Sequence, residues 1–144
     1  MPAAVVDTTV LYAAGNRNSK QHDRALGIVR AADRSALPTL HVPDVVLVET
    51  MNGLTRDVGP GTATDMLGRL ETSGGFDLVR ISDAVWSAGV DRFRSVDRLS
   101  LADGLIATYC REHDLEYLYG FDGGFDGLDG LTRLETTTDP YAPD

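Results

Sequence analysis

Residues 3–14 read Ala-Ala-Val-Val-Asp-Thr-Thr-Val-Leu-Tyr-Ala-Ala. Four small or β-branched apolar residues in a row suit a strand covered on both faces, as in a parallel sheet. Asp7 then stands where that strand leaves the sheet. In open α/β sheets the carboxyl ends of the strands form the edge that binds ligands. A buried strand needs no acid there, so Asp7 asks for partners.

Working outward, strand and helix patterns alternate. Thr8 or Thr9 can cap a short helix over 10–14, and the polar run 15–19 reads as a loop. A helix over 22–34 buries Ala25, Ile28, Val29 and Ala32 on one stripe. A strand over 37–42 leads through Pro43 and Asp44 into a helix reaching about 56. Leu47, Met51, Leu54 and Val58 define its expected core stripe, and Glu49 falls away from it. After Gly59-Pro60-Gly61 comes a helix over 62–72, then a strand over 76–81 and a helix over 83–96 capped by Ser82. Trp86, Val90 and Phe93 recur there at helical steps and are expected in the core.

Residues 100–113, Ser-Leu-Ala-Asp-Gly-Leu-Ile-Ala-Thr-Tyr-Cys-Arg-Glu-His, start a helix at Ser100. Asp103 heads an apolar face made by Ile106, Ala107 and Cys110. Ser-x-x-Asp also resembles a capping box, so a cap alone would explain this acid. The last clear strand, over 116–121, is again ended by an acid, Asp122. A turn-rich segment, an edge strand over 132–135 and a tail expected to be poorly ordered complete the chain.

The fold expected is α/β: one domain over 1–136 with a mostly parallel central sheet flanked by helices in three α/β/α layers, and a short tail over 137–144. Its 144 residues suffice for a core without disulfides, and a single cysteine, Cys110, excludes a disulfide framework. No apolar run is long enough to span a membrane, and the N-terminus lacks the basic start of a signal peptide, so a cytoplasmic location is expected. Acids outnumber bases 22 to 13, for a formal net charge of -9. Such a chain repels nucleic acid on average, and binding to it would need a local patch or metal ions. Asp dominates the acids and Lys20 is the sole lysine, a skew resembling proteins of salt-accumulating organisms. An ordinary acidic protein remains the alternative.

Right-handed crossovers place the carboxyl ends of parallel strands on one edge, so Asp7 and Asp122 would share it, within reach of the helix start at Asp103. Three such carboxylates repel one another unless protonated or neutralised by a cation, and oxygen-only ligands select hard ions such as Mg²⁺ or Mn²⁺. His22, His41 and His113 stand isolated, without zinc spacing. No P-loop, dinucleotide fingerprint or serine-hydrolase elbow occurs.

The segments VVDTTVLYA around Asp7, VVLVETMNGL around Glu49, LSLADGLIATYC around Asp103 and YGFDGGFDGLDGLTRLE around Asp122 together resemble the four acidic segments of PIN-domain ribonucleases. The VapC-type toxins of toxin–antitoxin pairs are the most similar. The resemblance runs from Ala3 to Glu135. It implies a catalytic cluster of Asp7, Glu49, Asp103 and Asp122, with Asp7 and Asp103 as direct metal ligands. Thr9 and Ser100 fall where the family often has a supporting small polar residue, and Asp126 would be a substitute or supporting acid. The glycine-rich GFDGGFDG departs from the family, which often has a basic residue there.

The function so implied is Mg²⁺- or Mn²⁺-dependent hydrolysis of single-stranded or looped RNA. Its partners would be a cognate antitoxin protein and a second copy of the chain in a homodimer. Arg17, Arg56 and Arg98 are candidate RNA contacts. Two rivals stay open: a Mg²⁺-dependent phosphotransfer or phosphatase domain, which lacks its expected lysine and Asp-x-Asp pair here, and a non-enzymatic interaction module using the acids as caps and surface charge.

Overall fold

The computed structural model describes residues 2–143. Five strands, β1 (Ala3–Val6), β2 (Thr39–Pro43), β3 (Phe76–Val79), β4 (Tyr117–Tyr119) and β5 (Thr132–Leu134), form one sheet in the order β3-β2-β1-β4-β5. Every neighbouring pair is parallel, with Val5 beside His41 on one side and Leu118 on the other. The six helices are α1 (Thr8–Gly15), α2 (His22–Asp33), α3 (Asp44–Asp57), α4 (Pro60–Thr72), α5 (Asp83–Ser95) and α6 (Leu101–Glu112). Right-handed crossovers put α1–α4 on one face, and the return from β3 to β4 puts α5 and α6 on the other. The packing agrees: α1 lies on α2 and α3, α3 on α4, and α5 on α6. The expected three layers are therefore present, and the sheet is wholly parallel.

The central strand is β1. Ala4, Val5 and Val6 are fully buried, with Leu40, Leu118, Ile28 and Ile106 around them, as an all-apolar strand covered by helices on both faces requires. The strand order reverses between β1 and β4. A topological switch point thus opens at their carboxyl ends, between Asp7 and the residues after Tyr119.

Several local expectations are corrected. Asp7 occupies the N-cap position of α1, which starts at Thr8; neither Thr8 nor Thr9 is the cap. Pro60 opens α4 as its first residue instead of belonging to a turn before it. In α3 the buried residues are Val46, Thr50, Gly53 and Leu54. Leu47 and Met51 only flank the core, and Val58 is exposed. In α5 Trp86 is 52% and Phe93 41% exposed, and the buried residues are Val85 and Gly89. In α5 the cause is a glycine on the packing face. A Cβ on Gly89 would stand 2.7 Å from Leu105 Cδ2, and one on Gly104 would stand 3.0 Å from the Gly89 carbonyl. The backbones of α5 and α6 therefore meet directly, which turns the aromatic residues of α5 outward.

The tail also differs from expectation, because it docks. Tyr141 donates to the Ala3 carbonyl at 3.1 Å and packs edge-on against Tyr117, while the Tyr119 hydroxyl donates to the Thr138 carbonyl. Among the described residues, no helix is long and apolar enough to cross a membrane.

Candidate active site

β1 delivers Asp7 to the switch point already desolvated, with 3% of the residue exposed. Its amide donates to the Tyr119 carbonyl at 2.9 Å, which fixes it against the end of β4. Thr9, in the first turn of α1, donates its hydroxyl to Asp7 Oδ2 at 3.0 Å and accepts the Phe121 amide at 2.9 Å. One threonine thereby orients the carboxylate and locks the two strand ends together. At Gly120 an added Cβ would lie 3.0 Å from the Asp7 Cβ, so only glycine lets β4 pass this close.

The acid Asp103 sits in the first turn of α6, where Ser100 Oγ accepts its amide at 3.1 Å. Ser100 supplies the cap through the Asp103 amide, and the Asp103 carboxyl faces Asp122 at the sheet edge. Asp122 follows β4 and heads one 3₁₀ turn, Gly123–Phe125, by accepting the Gly124 amide at 2.9 Å. A Cβ on Gly124 would stand 3.2 Å from Asp122 Oδ1 and 3.5 Å from Asp103 Oδ2. Both carboxylates therefore converge on one point, across a backbone that carries no side chain there.

The electrostatics record that convergence. Burial raises the Asp7 carboxyl to about 6, against the Thr9 hydrogen bond, with the charge of Asp122 adding to the rise. Burial also raises Asp103, to about 7, helped by the charges of Asp7 and Asp122 and by a hydrogen bond with Asp122. Among the described residues, no Lys, Arg or His nitrogen lies within ion-pair distance of Asp7, Glu49, Asp103 or Asp122. The three aspartates thus share one field without a protein counter-charge, and their donor set is all oxygen. That chemistry fits a hard divalent cation. Among the described residues, no three acid, His or Cys side chains close to the spacing of a metal cage.

Glu49 is exposed on α3, as its place off the core stripe implies. It joins the site at one remove, accepting the Thr8 hydroxyl at 3.1 Å. Asp126 turns away from the other acids and pairs with Arg133 at 2.9 Å. Of the candidate arginines, Arg56 is paired with Asp57, Arg98 donates to the Asp126 carbonyl at 2.7 Å, and Arg17 is exposed. His22 is 2.8 Å from the Ala13 carbonyl and His41 is 2.8 Å from the Tyr109 hydroxyl, so both serve packing. Thr8, Gly120, Gly124 and Arg133 escape the sequence reading. The glycine before the acid in Tyr-Gly-Phe-Asp is the one sequence sign that could have pointed to a close approach.

A protein-family model described as PIN domain matches residues 4–131. No curated protein matches. Among solved structures, the chain is similar to one titled Mycobacterium tuberculosis VapC20, sarcin–ricin loop cleaving toxin (21% identity, TM-score 0.74, covering 89% of this chain and 98% of that one). It is also similar to VapBC2 from Rickettsia felis bound to a DNA fragment from its promoter (13%, TM-score 0.69, 92% and 97%). A third is a toxin–antitoxin complex from Klebsiella pneumoniae (20%, TM-score 0.62, 94% and 98%). At such identities these structures bear on the fold alone, and they agree with the family match across nearly the whole chain: the protein belongs to the PIN-domain family.

Proposed function

We propose that this protein is a metal-dependent endoribonuclease and the toxin of a toxin–antitoxin pair. One observation carries the proposal: Asp103 and Asp122 converge on Gly124 beside the buried Asp7, with no Lys, Arg or His nitrogen within ion-pair distance of them among the described residues. The similar structures titled as a loop-cleaving toxin and as toxin–antitoxin complexes support both halves of it.

Asp7 and Asp103 would hold Mg²⁺ or Mn²⁺, with Asp122 completing the anionic wall. When bound, the cation supplies a water of lowered pKa and neutralises charge on the phosphoryl oxygens. The chain's own residues do the positioning. Thr9 fixes the Asp7 carboxylate, Ser100 holds the first turn of α6 so that Asp103 faces the edge, and Gly124 puts no side chain between the Asp103 and Asp122 carboxylates. Glu49, at the rim and hydrogen-bonded to Thr8, would take a proton from the attacking water as its oxygen bonds to phosphorus, and the leaving ribose oxygen would take one from solvent as its bond to phosphorus breaks. Arg24 stacks over the Phe121 ring at 5.0 Å, directly before Asp122 in sequence. A guanidinium beside an aromatic ring suits single-stranded RNA despite the unfavourable bulk charge. A cognate antitoxin and a second copy of the chain are the proposed protein partners.

The test is cleavage of structurally diverse single-stranded RNAs at high salt with Mn²⁺ or Mg²⁺. Chelator should abolish cutting, and Asp103→Asn should slow it by about 100-fold. A folded wild type that cuts nothing, or an Asp103→Asn variant as fast as wild type, refutes the proposal. The interaction-module alternative draws on Ser100, whose cap already gives the first turn of α6 a structural reason; a silent Mn²⁺ titration would favour it.

A further inference from the structure

Arg133, on edge strand β5, belongs to none of the acidic clusters, yet each of its three guanidinium nitrogens has a partner. Its Nε donates to Asp126 Oδ1 at 2.9 Å and its Nη2 to Asp126 Oδ2 at 3.0 Å, a bidentate fork. Its Nη1 donates to the Gly120 carbonyl at 3.1 Å and lies 3.4 Å from Glu135 Oε2. Only 15% of the side chain is exposed. On the other side of the same loop, Arg98 donates to the Asp126 carbonyl at 2.7 Å.

Segment 120–126 is therefore gripped at both ends by one side chain. The first grip is at Gly120, which passes close to the Asp7 Cβ, and between the two grips stands Asp122, which faces Asp103. We propose that Arg133 and Asp126 form a positioning clamp that sets Asp122 and the end of β4 against Asp7 and Asp103 for cation binding. The clamp rests on the proposed reading of these acids as a cation site, and it gives Asp126 a role through Arg133 in place of direct ligation. Two of the bonds leave the rigid planar fork side by side toward the Asp126 carboxylate, and the third leaves from Nη1 toward the Gly120 carbonyl. A lysine ammonium at this position could satisfy only part of them.

The test uses the full chain, with Arg133→Met, Arg133→Lys, Asp126→Ala and the Arg133→Met/Asp126→Ala double variant. Four quantities are measured: the Mn²⁺ dissociation constant, kcat and KM for RNA cleavage, hydrogen exchange of the Gly124 amide, and the thermal midpoint. Arg133→Met should weaken Mn²⁺ binding by about 10-fold and lower kcat similarly with KM little changed, as loss of an outer-shell partner does. Gly124 exchange should quicken, Arg133→Lys should not restore wild-type binding, and the double variant should be no worse than Arg133→Met alone.

Unchanged Mn²⁺ affinity and exchange in Arg133→Met, even with a lowered midpoint, would overturn the clamp. So would tighter Mn²⁺ binding in Arg133→Met combined with weaker binding in Asp126→Ala, because Asp126 would then be a ligand released from its partner. If Arg133→Met fails to fold, Asp126→Ala, at a side chain 56% exposed, reads the same loss. If the wild type neither binds Mn²⁺ nor cuts RNA, the functional reading fails by itself. Gly124 exchange then decides the clamp: quickened exchange upholds it and unchanged exchange overturns it.

Discussion

Asp7 is an acid that folding alone would not choose. Its carboxyl, near 3.8 in an unfolded chain, rises to about 6 in the fold because burial penalises the charge. The folded protein therefore prefers the neutral acid, and this contribution to stability is complete below about pH 4 and lost as pH rises through 6. The size is roughly 2–3 kcal/mol. In chelator, denaturation midpoints should fall between pH 4 and pH 7; Mn²⁺ should restore them, and Asp7→Asn should flatten the slope. A metal-free wild type equally stable across that range would contradict this. At the residue scale Asp7, Asp103 and Asp122 were legible because each ends a strand or opens a helix, positions that local pattern exposes; Glu49, in the middle of α3, was named only through the family resemblance. The contacts of Thr8 with Glu49 and of Arg133 with the loop after β4 were not, since only folding brings those side chains to their partners.

At the scale of elements, the alternation of strands and helices could be read from period, caps and glycine turns. The rotation of α3 and α5 could not. Hydrophobic periodicity counts side chains, whereas α5 and α6 touch through Gly89 and Gly104, which have none. The consequence is measurable. Trp86→Ser should change stability by only about 0.5 kcal/mol as an exposed substitution, although helical spacing placed Trp86 in the core. Gly89→Ala, conservative on paper, should cost about 1–3 kcal/mol by overpacking the crossing. Urea unfolding of the two variants decides the order, and a costlier Trp86→Ser would show that α5 packs through its aromatic face.

For the whole molecule, parallel order and the shared strand edge follow from sequence pattern and crossover handedness. Strand order does not, because no local feature tells β4 to pair with β1 instead of extending past β3. Nor did local composition disclose that the polar tail docks, as the contacts involve Tyr119 and Tyr117 at its far end. Removing residues 137–144 leaves the buried Tyr119 without its acceptor, and should cost about 1–3 kcal/mol. A calorimetric midpoint unchanged by truncation would show the tail to be separable.

The pairing of β1 with β4 has a kinetic consequence. Asp7 precedes Asp122 by most of the domain, and the strand that brings their ends together, β4, is the fourth of five. A long-range parallel contact of this kind forms late, after the intervening chain has emerged and its loop has closed. Until then the nascent polypeptide holds scattered carboxylates and no cluster. Whatever chemistry the assembled edge performs, it waits until β4 has been made and has paired with β1.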